Sequence, residues 1–368
     1  MLFAARTDKI IQRTAIAVTL AVTTGITQVA QAGTIRHDVD DSYYRNEANF
    51  FPSVGYFGAE NSSTSWGCSG TLIAPSYMLT ATHCVTDDNN QFLTSGTFWV
   101  GGNPYFVTAG AYNSAFSYQN IFAGNDIAVV QLANSVFNVD PASLYFDTNE
   151  NLQVGTYVGF GATGNGITGF DINTAGTKRA GQNIIGLGSR LANYGLGDNL
   201  LVSDFDDPHT ANDDPLSQPL FLEYQLAPGD SGGGLFIDGK VAGIHSSIIS
   251  LFDNSNDASY GDFSASTRVS SFTSWINNAI NALENLGMSS SSSINNSETS
   301  NGSEFGTKAP LAPEYNFFDR SFAVRWIDDK SFRGEAKHVP EPSSIFGLLV
   351  LGGLALKTNY KQQVSRVD

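Results

Sequence analysis

The sequence predicts an all-β protein of short antiparallel strands and tight turns, closed by one helix. Three observations carry this. The 368 residues include 37 glycines, 25 phenylalanines and 14 tyrosines, a composition that suits short strands and sharp turns. Apolar and small polar residues alternate from Gly67 to Leu132 and are interrupted by Pro75, Asp87 to Asn90, Gly101-Gly102 and Pro104. Helical periodicity is confined to one stretch, where Phe272, Trp275, Ile276, Ala279, Ile280, Leu283 and Leu286 recur at steps of three and four. Ser271 can cap that helix and Gly287 can end it, and its apolar stripe reads as core packing.

In chain order, Met1 to Ala32 reads as a secretory signal. Arg6, Lys9 and Arg13 make a positive start, Thr14 to Thr27 is largely apolar, and Ala30-Gln31-Ala32 is a small-x-small cleavage site before Gly33. A retained membrane helix is the other reading, disfavoured by the threonines that interrupt the run. Export permits disulfides, and the chain has two cysteines, Cys68 and Cys84. The formal charge of −16, with 19 basic against 35 acidic residues, excludes phosphate-driven binding of nucleic acid.

The chemistry centres on Ala227-Pro228-Gly229-Asp230-Ser231-Gly232-Gly233-Gly234. Glycine lets the backbone turn tightly and lets a substrate carbonyl approach. In such a turn the amides of Gly229 and Ser231 can face one oxyanion. Upstream, Leu79-Thr80-Ala81-Thr82-His83-Cys84 delivers a histidine at the end of an apolar run, and in Asn125-Asp126-Ile127-Ala128 an aspartate opens another. A serine nucleophile needs both, an imidazole to take its proton and a buried carboxylate to hold the imidazole. The order His83, Asp126, Ser231 argues against an α/β-hydrolase elbow, in which acid and histidine follow the serine. Leu235-Phe236-Ile237, Asp238-Gly239 and Lys240-Val241-Ala242-Gly243-Ile244 then read as a hairpin, where the elbow would continue into a helix.

Cys68-Ser69-Gly70-Thr71-Leu72-Ile73 with Leu79 to Cys84, then Asn125-Asp126-Ile127-Ala128, then Gly229-Asp230-Ser231-Gly232-Gly233 together resemble the histidine, aspartate and serine regions of trypsin-like serine proteases. The resemblance runs from Ile35 to Gly287. It implies two antiparallel six-stranded Greek-key β-barrels with a C-terminal helix, crossed between barrels by Val139 to Tyr145 and entered a second time at Val154 to Gly161. It implies Ser231 as nucleophile, His83 as general base and then acid, Asp126 as orienting carboxylate, and a bridge between Cys68 and Cys84, two free thiols being the other reading. It puts Gln225 at the floor of the specificity pocket, where no aspartate is present to pair a basic side chain, and Ser246 beside the orienting acid, with Ile248 narrowing the pocket. His245 reads as a strand neighbour.

The chain departs from that family between Gly33 and Cys68, which hold no Ile-Val-Gly-Gly-type segment whose new amino group would pair with Asp230. Ile35 to Arg45 is instead reminiscent of the mature start of some bacterial secreted and autotransporter serine proteases. Asp230 therefore needs another partner, since a buried unpaired charge is costly; His37 is one candidate, an ordinary surface histidine the alternative. Asp87-Asp88-Asn89-Asn90 and the acidic excursion Asp204 to Asp214, with His209, read as hydrophilic loops; calcium binding is the alternative at the first, and a calcium or substrate loop at the second.

The domain organisation expected is a signal peptide over 1–32, a protease domain over 33–287, a flexible linker over 288–338 and a sorting or anchor segment over 339–368. Ser289 to Ser293 and the polar stretch Asn295 to Gly306 suggest the linker, within which Tyr315, Phe317, Phe318, Phe322 and Trp326 allow local docking. Val339-Pro340-Glu341-Pro342-Ser343-Ser344, the apolar run Ile345 to Leu356 and the basic tail Lys357, Lys361, Arg366 resemble the bacterial PEP-CTERM signal, which implies an exosortase-type processing partner and a membrane contact. Twelve apolar positions are fewer than the roughly twenty that span a bilayer. The function expected is an exported or surface-tethered monomeric serine endopeptidase acting on protein or peptide substrates without cofactor or metal. A protease-like binding or adhesion module and an enzyme limited to esters are the alternatives.

Overall fold

The computed structural model describes residues 32–87, 89, 91–210, 213–251, 257–294 and 324–332. Residues 1–31 of the expected signal and the whole 339–368 segment lie outside the described residues. Among those described, no helix is long and apolar enough to cross a membrane.

The chain has a chymotrypsin-like fold. It enters through β1 (Gly33–Ile35) and a short helix α1 (Asp41–Glu47). The helix starts where Asp40 accepts a hydrogen bond from the Ser42 amide, and it buries Tyr44. Six strands follow: β2 (Val54–Glu60), β3 (Ser65–Ala74), β4 (Tyr77–Thr80), β5 (Ser95–Val100), β6 (Asn103–Tyr112) and β7 (Ala128–Leu132). Their order is β6-β5-β2-β3-β4-β7, and β7 pairs back onto β6, so the barrel closes and leaves no edge between them. The alternation seen in the sequence is the inside-outside alternation of these strands: Phe57, Leu72, Met78, Leu79, Phe98 and Val129 are fully buried in one cluster. Each such side chain contributes about 1.5–3 kcal/mol of transfer free energy.

Ala142 and Tyr145 mark the crossing between the two sheets, their amides donating to the carbonyls of Leu72 and Val241 at 2.9 and 2.8 Å. The second unit comprises β8 (Val154–Gly159), β9 (Thr163–Asn165), β10 (Gly169–Asp171), β11 (Arg179–Ile184), β12 (Gly186–Leu187), β13 (Leu200–Asp204), β14 (Tyr224–Gln225), β15 (Gly234–Ile237), β16 (Lys240–Ile249) and β17 (Phe263–Arg268). Seven of them form an antiparallel sheet in the order β11-β8-β15-β16-β17-β13-β12. This sheet is a half-barrel and not the closed six-stranded barrel expected. The physical reason is the N-terminal strand: β14 pairs with β1 through Thr34–Gln225 and Ile35–Tyr224 and forms no ladder with β11, the bridge Gln182–Glu223 lying just before β14. β1, β9, β10 and β14 thus make a separate four-stranded sheet. The β15–β16 hairpin turns at Asp238 and Gly239, both with positive φ, as a two-residue turn of this kind requires.

The closing helix α2 (Thr273–Ile294) is led in by the 3-10 turn Val269–Phe272, so it begins two residues after Ser271, the expected cap, and the Thr273 hydroxyl donates to the Ser270 carbonyl. It buries Ile276, Ala279 and Leu283 in the first core and runs past Gly287, since an interior glycine costs a helix only about 1 kcal/mol. A last strand, β18 (Arg325–Asp328), lies within the stretch read as linker and adds in parallel to β6. Trp326 anchors it, stacking on Phe92 at 5.2 Å and donating its indole N–H to the Leu93 carbonyl.

Candidate active site

His83 lies in the 3-10 turn Thr82–Cys84 that follows β4. That turn is fixed on both sides: Thr82 donates its hydroxyl to the Ile127 carbonyl, and Cys84 is bridged to Cys68 on β3, so the two cysteines are not free thiols. Asp126 immediately precedes Ile127 and β7, after a left-handed turn at Gly124. Its carboxylate is fully buried and engaged three times. Oδ2 lies 2.6 Å from His83 Nδ1 and accepts from the Ser246 hydroxyl at 2.7 Å, while Oδ1 accepts from the His83 backbone amide at 3.0 Å. A carboxylate at Nδ1 keeps the proton on that nitrogen and leaves Nε2 as the ring's basic site.

Ser231 shares one cleft with His83, walled by Leu226, Ala227, Pro228, Ser246 and Ile248 and enclosing about 590 Å³. The turn that carries the serine is built by glycine. A Cβ at Gly232, whose φ is +80°, would stand 2.1 Å from Thr80 Oγ1 and 2.3 Å from the Ser69 carbonyl oxygen. Two carbonyls in the turn are held by the fold. Pro228 O accepts from the buried Ala162 amide at 2.7 Å, and Asp230 O accepts from Gly233 at 2.9 Å. The peptides are trans, so the N–H groups of Gly229 and Ser231 point opposite to these carbonyls. Ser69, which the sequence reading passed over, ties the turn to the first barrel: its amide donates to the Ser231 carbonyl at 2.8 Å and its hydroxyl to the Gly229 carbonyl at 2.9 Å. A second hollow of about 390 Å³ lies against Pro228 and Gly229, walled by Tyr56, Phe160 and Ile172.

Asp230 is fully buried. Its Oδ1 accepts from the Gly161 amide at 2.8 Å, and its Oδ2 from the Ala227 amide at 3.0 Å and the Tyr224 hydroxyl at 3.2 Å. Burial pushes its pKa up to about 7, and these donors offset part of the rise. His37 is not its partner: that ring is exposed and lies 2.9 Å from the Tyr260 hydroxyl. The signal for Tyr224 was absent from the motifs because the contact is made by folding β14 against the turn.

Two other predicted residues fall out differently. Ser246 lines the cleft and touches Asp126. Gln225 is fully buried, with Oε1 accepting from the Ser264 hydroxyl at 2.7 Å, and is not among the cleft walls. Its backbone pairs with Thr34 of β1, while its neighbours Leu226 and Ala227 line the cleft. His245 is a strand neighbour, stacked on Tyr157 at 5.3 Å; its Nε2 accepts from the Val158 amide, and burial lowers its pKa to about 3. The sulfurs of Cys68 and Cys84 come within 4.8 Å of a His83 nitrogen, but both are committed to the disulfide and cannot serve a metal.

Residues 45–183 match the model of the family described as Trypsin. Two relatives in Corynebacterium glutamicum, described as an uncharacterized peptidase (strain R) and a putative peptidase (strain ATCC 13032), are 26% and 25% identical over 196 residues. The match covers 53% of this chain and 58% of each relative, so the chain spans less than two thirds of their length. Among solved structures, HL collagenase is 19% identical, with 61% of this chain and 92% of that one covered at a TM-score of 0.48. Neuropsin, a serine protease of mouse brain, is 18% identical, with coverages of 62% and 95% and a TM-score of 0.46. The family match takes in less than half of the chain, and over it the chain is similar to the trypsin-like serine proteases.

Proposed function

We propose that this chain is a serine endopeptidase that hydrolyses peptide bonds through an acyl-enzyme. The observation that supports it most is the buried Asp126 carboxylate 2.6 Å from His83 Nδ1, in a cleft that His83 shares with Ser231. In this reading His83 Nε2 takes the proton of the Ser231 hydroxyl as Oγ attacks the scissile carbonyl. The amides of Gly229 and Ser231 stabilise the oxyanion, a term of about 2.7–4 kcal/mol per donor in mutational studies. His83 then delivers the proton to the leaving amine, and water repeats the cycle on the ester. Asp126, itself held by Ser246, keeps the ring oriented and stabilises the imidazolium. No metal or cofactor is needed for these steps.

The cleft walls are uncharged, which supports acceptance of small or uncharged side chains and gives no basis for trypsin-like preference for lysine or arginine. We further propose that 33–287 is the protease domain of a monomer exported after removal of 1–32, and that 339–368 is a sorting segment recognised by an exosortase-type enzyme at the envelope membrane. A second reading, a protease-like binding module, is favoured by one observation: Asp230 is held by neutral donors. Cleavage of an unfolded protein substrate separates the two. The enzyme cuts it and Ser231→Ala and His83→Ala do not; a folded wild-type chain that cuts neither peptides nor esters refutes the proposal.

A further inference from the structure

Residues 324–332 come after the closing helix and outside the six strands of the first barrel, and they seat on that barrel. β18 runs parallel to the second half of β6, with Arg325 opposite Ala109 and Asp328 opposite Tyr112. Glycine makes the seat, since a Cβ at Gly110 would run into the six-membered ring of the Trp326 indole. Phe332 reaches Trp275 of α2, their ring centroids 6.1 Å apart, and Val324, Trp326 and Ile327 pack on the first core.

Two chains of hydrogen bonds lead inward from this segment. In the first, the half-buried Trp326 donates its indole N–H to the Leu93 carbonyl at 3.2 Å, and the Leu93 amide donates to the Val85 carbonyl at 2.9 Å. Val85 lies two residues past His83, and its own amide closes the 3-10 turn on the Thr82 carbonyl at 2.9 Å. Phe92, on which the indole stacks, bridges to Thr86. In the second chain, Asp329 Oδ1 accepts from the Ser114 amide at 3.4 Å. The neighbouring Asn113 amide donates to the Ile127 carbonyl at 3.2 Å, one residue past Asp126. Tyr118 ties the two together, its hydroxyl lying 3.4 Å from the His83 carbonyl and 3.2 Å from that of Thr86. One segment thus braces both the turn that carries His83 and the loop that leads to Asp126.

We propose that residues 324–332 are a positioning strap for the His83–Asp126 pair, with Trp326 as its principal positioning residue. The inference rests on the endopeptidase reading, in which Asp126 must hold the imidazole within reach of the Ser231 hydroxyl. Trp326 touches neither substrate nor reacting atoms; it acts through Leu93 and Val85. Such geometry tolerates little error, and a misplacement of about 1 Å can cost about a hundredfold in rate. The Cys68–Cys84 bridge fixes the near end of the excursion that follows His83, and the strap fixes its far end at Leu93. Leu226, Ala227, Pro228 and Ile248 of the cleft wall belong to the second unit, so loosening the strap slows the chemistry and leaves binding alone.

The test compares Trp326→Ala, Trp326→Phe and Asp329→Ala in the full chain with Ile276→Val, which loosens the packing of α2 instead. Each is reacted with a fluorophosphonate probe over a range of concentrations, at a temperature where all stay folded, and hydrogen exchange is followed at Val85, Leu93, Asn113 and Ser114. In Trp326→Ala the maximal labelling rate of Ser231 per folded molecule falls about tenfold, with the half-saturating probe concentration unchanged. Trp326→Phe, which keeps the stacking on Phe92, recovers part of the rate. Exchange rises at Val85 and Leu93 in Trp326→Ala and at Ser114 in Asp329→Ala. Ile276→Val lowers the melting temperature and keeps the rate. A Trp326→Ala chain that labels at the wild-type rate, whatever its melting temperature, makes the segment a stabilising patch only and overturns the inference. Should Trp326→Ala fail to fold, Trp326→Phe and Asp329→Ala carry the comparison. A wild type that never labels refutes the endopeptidase reading, and exchange then decides the strap alone: faster exchange at Val85 and Leu93 upholds the brace, and unchanged exchange overturns it.

Discussion

The hydroxyl of Tyr224 donates to Asp230 Oδ2 at 3.2 Å, one residue before the serine in the cleft. With the amides of Gly161 and Ala227 it makes a set of three neutral donors for a fully buried acid. The folded-state pKa of about 7 exceeds the ordinary 3.8, so the folded chain keeps a proton that the unfolded chain has released. Stability from this group is therefore greatest at low pH and declines as pH rises from about 4 to about 7. Tyr224→Phe keeps the ring and removes a donor from the ionised form. It should cost about 1–3 kcal/mol at pH 8 and less at pH 5, measured by denaturant unfolding at both.

Ser246 donates to the carboxylate that holds His83. Ser246→Ala removes a hydrogen bond to a charged group, worth about 1.5–3 kcal/mol. We expect kcat to fall about tenfold or more with KM little changed, and Ser246→Thr to restore part of it. Steady-state kinetics on a peptide ester reads both parameters.

The Cys68–Cys84 bridge closes a loop of sequence separation 16 that carries His83 at its end. In the chain-entropy account a loop of this length is worth about 3 kcal/mol. A Cys68→Ala, Cys84→Ala double variant should unfold at a lower temperature, and it should lose more activity at 25 °C than its unfolded fraction accounts for, because the turn carrying His83 is freed.

His245 has the opposite pH sign from Asp230. Burial lowers its folded pKa from 6.5 to about 3, so between those values the unfolded chain binds a proton that the folded chain refuses. Its contribution is complete above pH 6.5 and is lost as pH falls towards 3. His245→Gln should flatten the loss of stability between pH 6.5 and 4, seen as a smaller shift in urea midpoint, and should leave Ser231 reactive.

What was legible in the sequence was local. Leu79 to Cys84, Asn125 to Ala128 and Gly229 to Gly233 each carry their residue types within a few positions, and the hairpin over Asp238-Gly239 and the stripe from Phe272 to Leu283 follow from period and turn chemistry. What escaped it was set by distant pairing. Thr34 pairs with Gln225 in a sheet apart from the half-barrel, and nothing near either residue announces that pairing. Arg325 to Asp328 docks on β6 more than two hundred residues away in sequence. Tyr224 reaches Asp230 only once β14 is folded against the turn.

The reactivity of Ser231 is tested most directly by a fluorophosphonate probe on the purified chain beginning at Gly33, with adduct mapping by mass spectrometry. Wild type should be labelled at Ser231, while Ser231→Ala and His83→Ala, folded to the same extent, should not. No adduct on folded wild type, before or after limited proteolysis, would contradict the account and leave a binding module built on a protease fold.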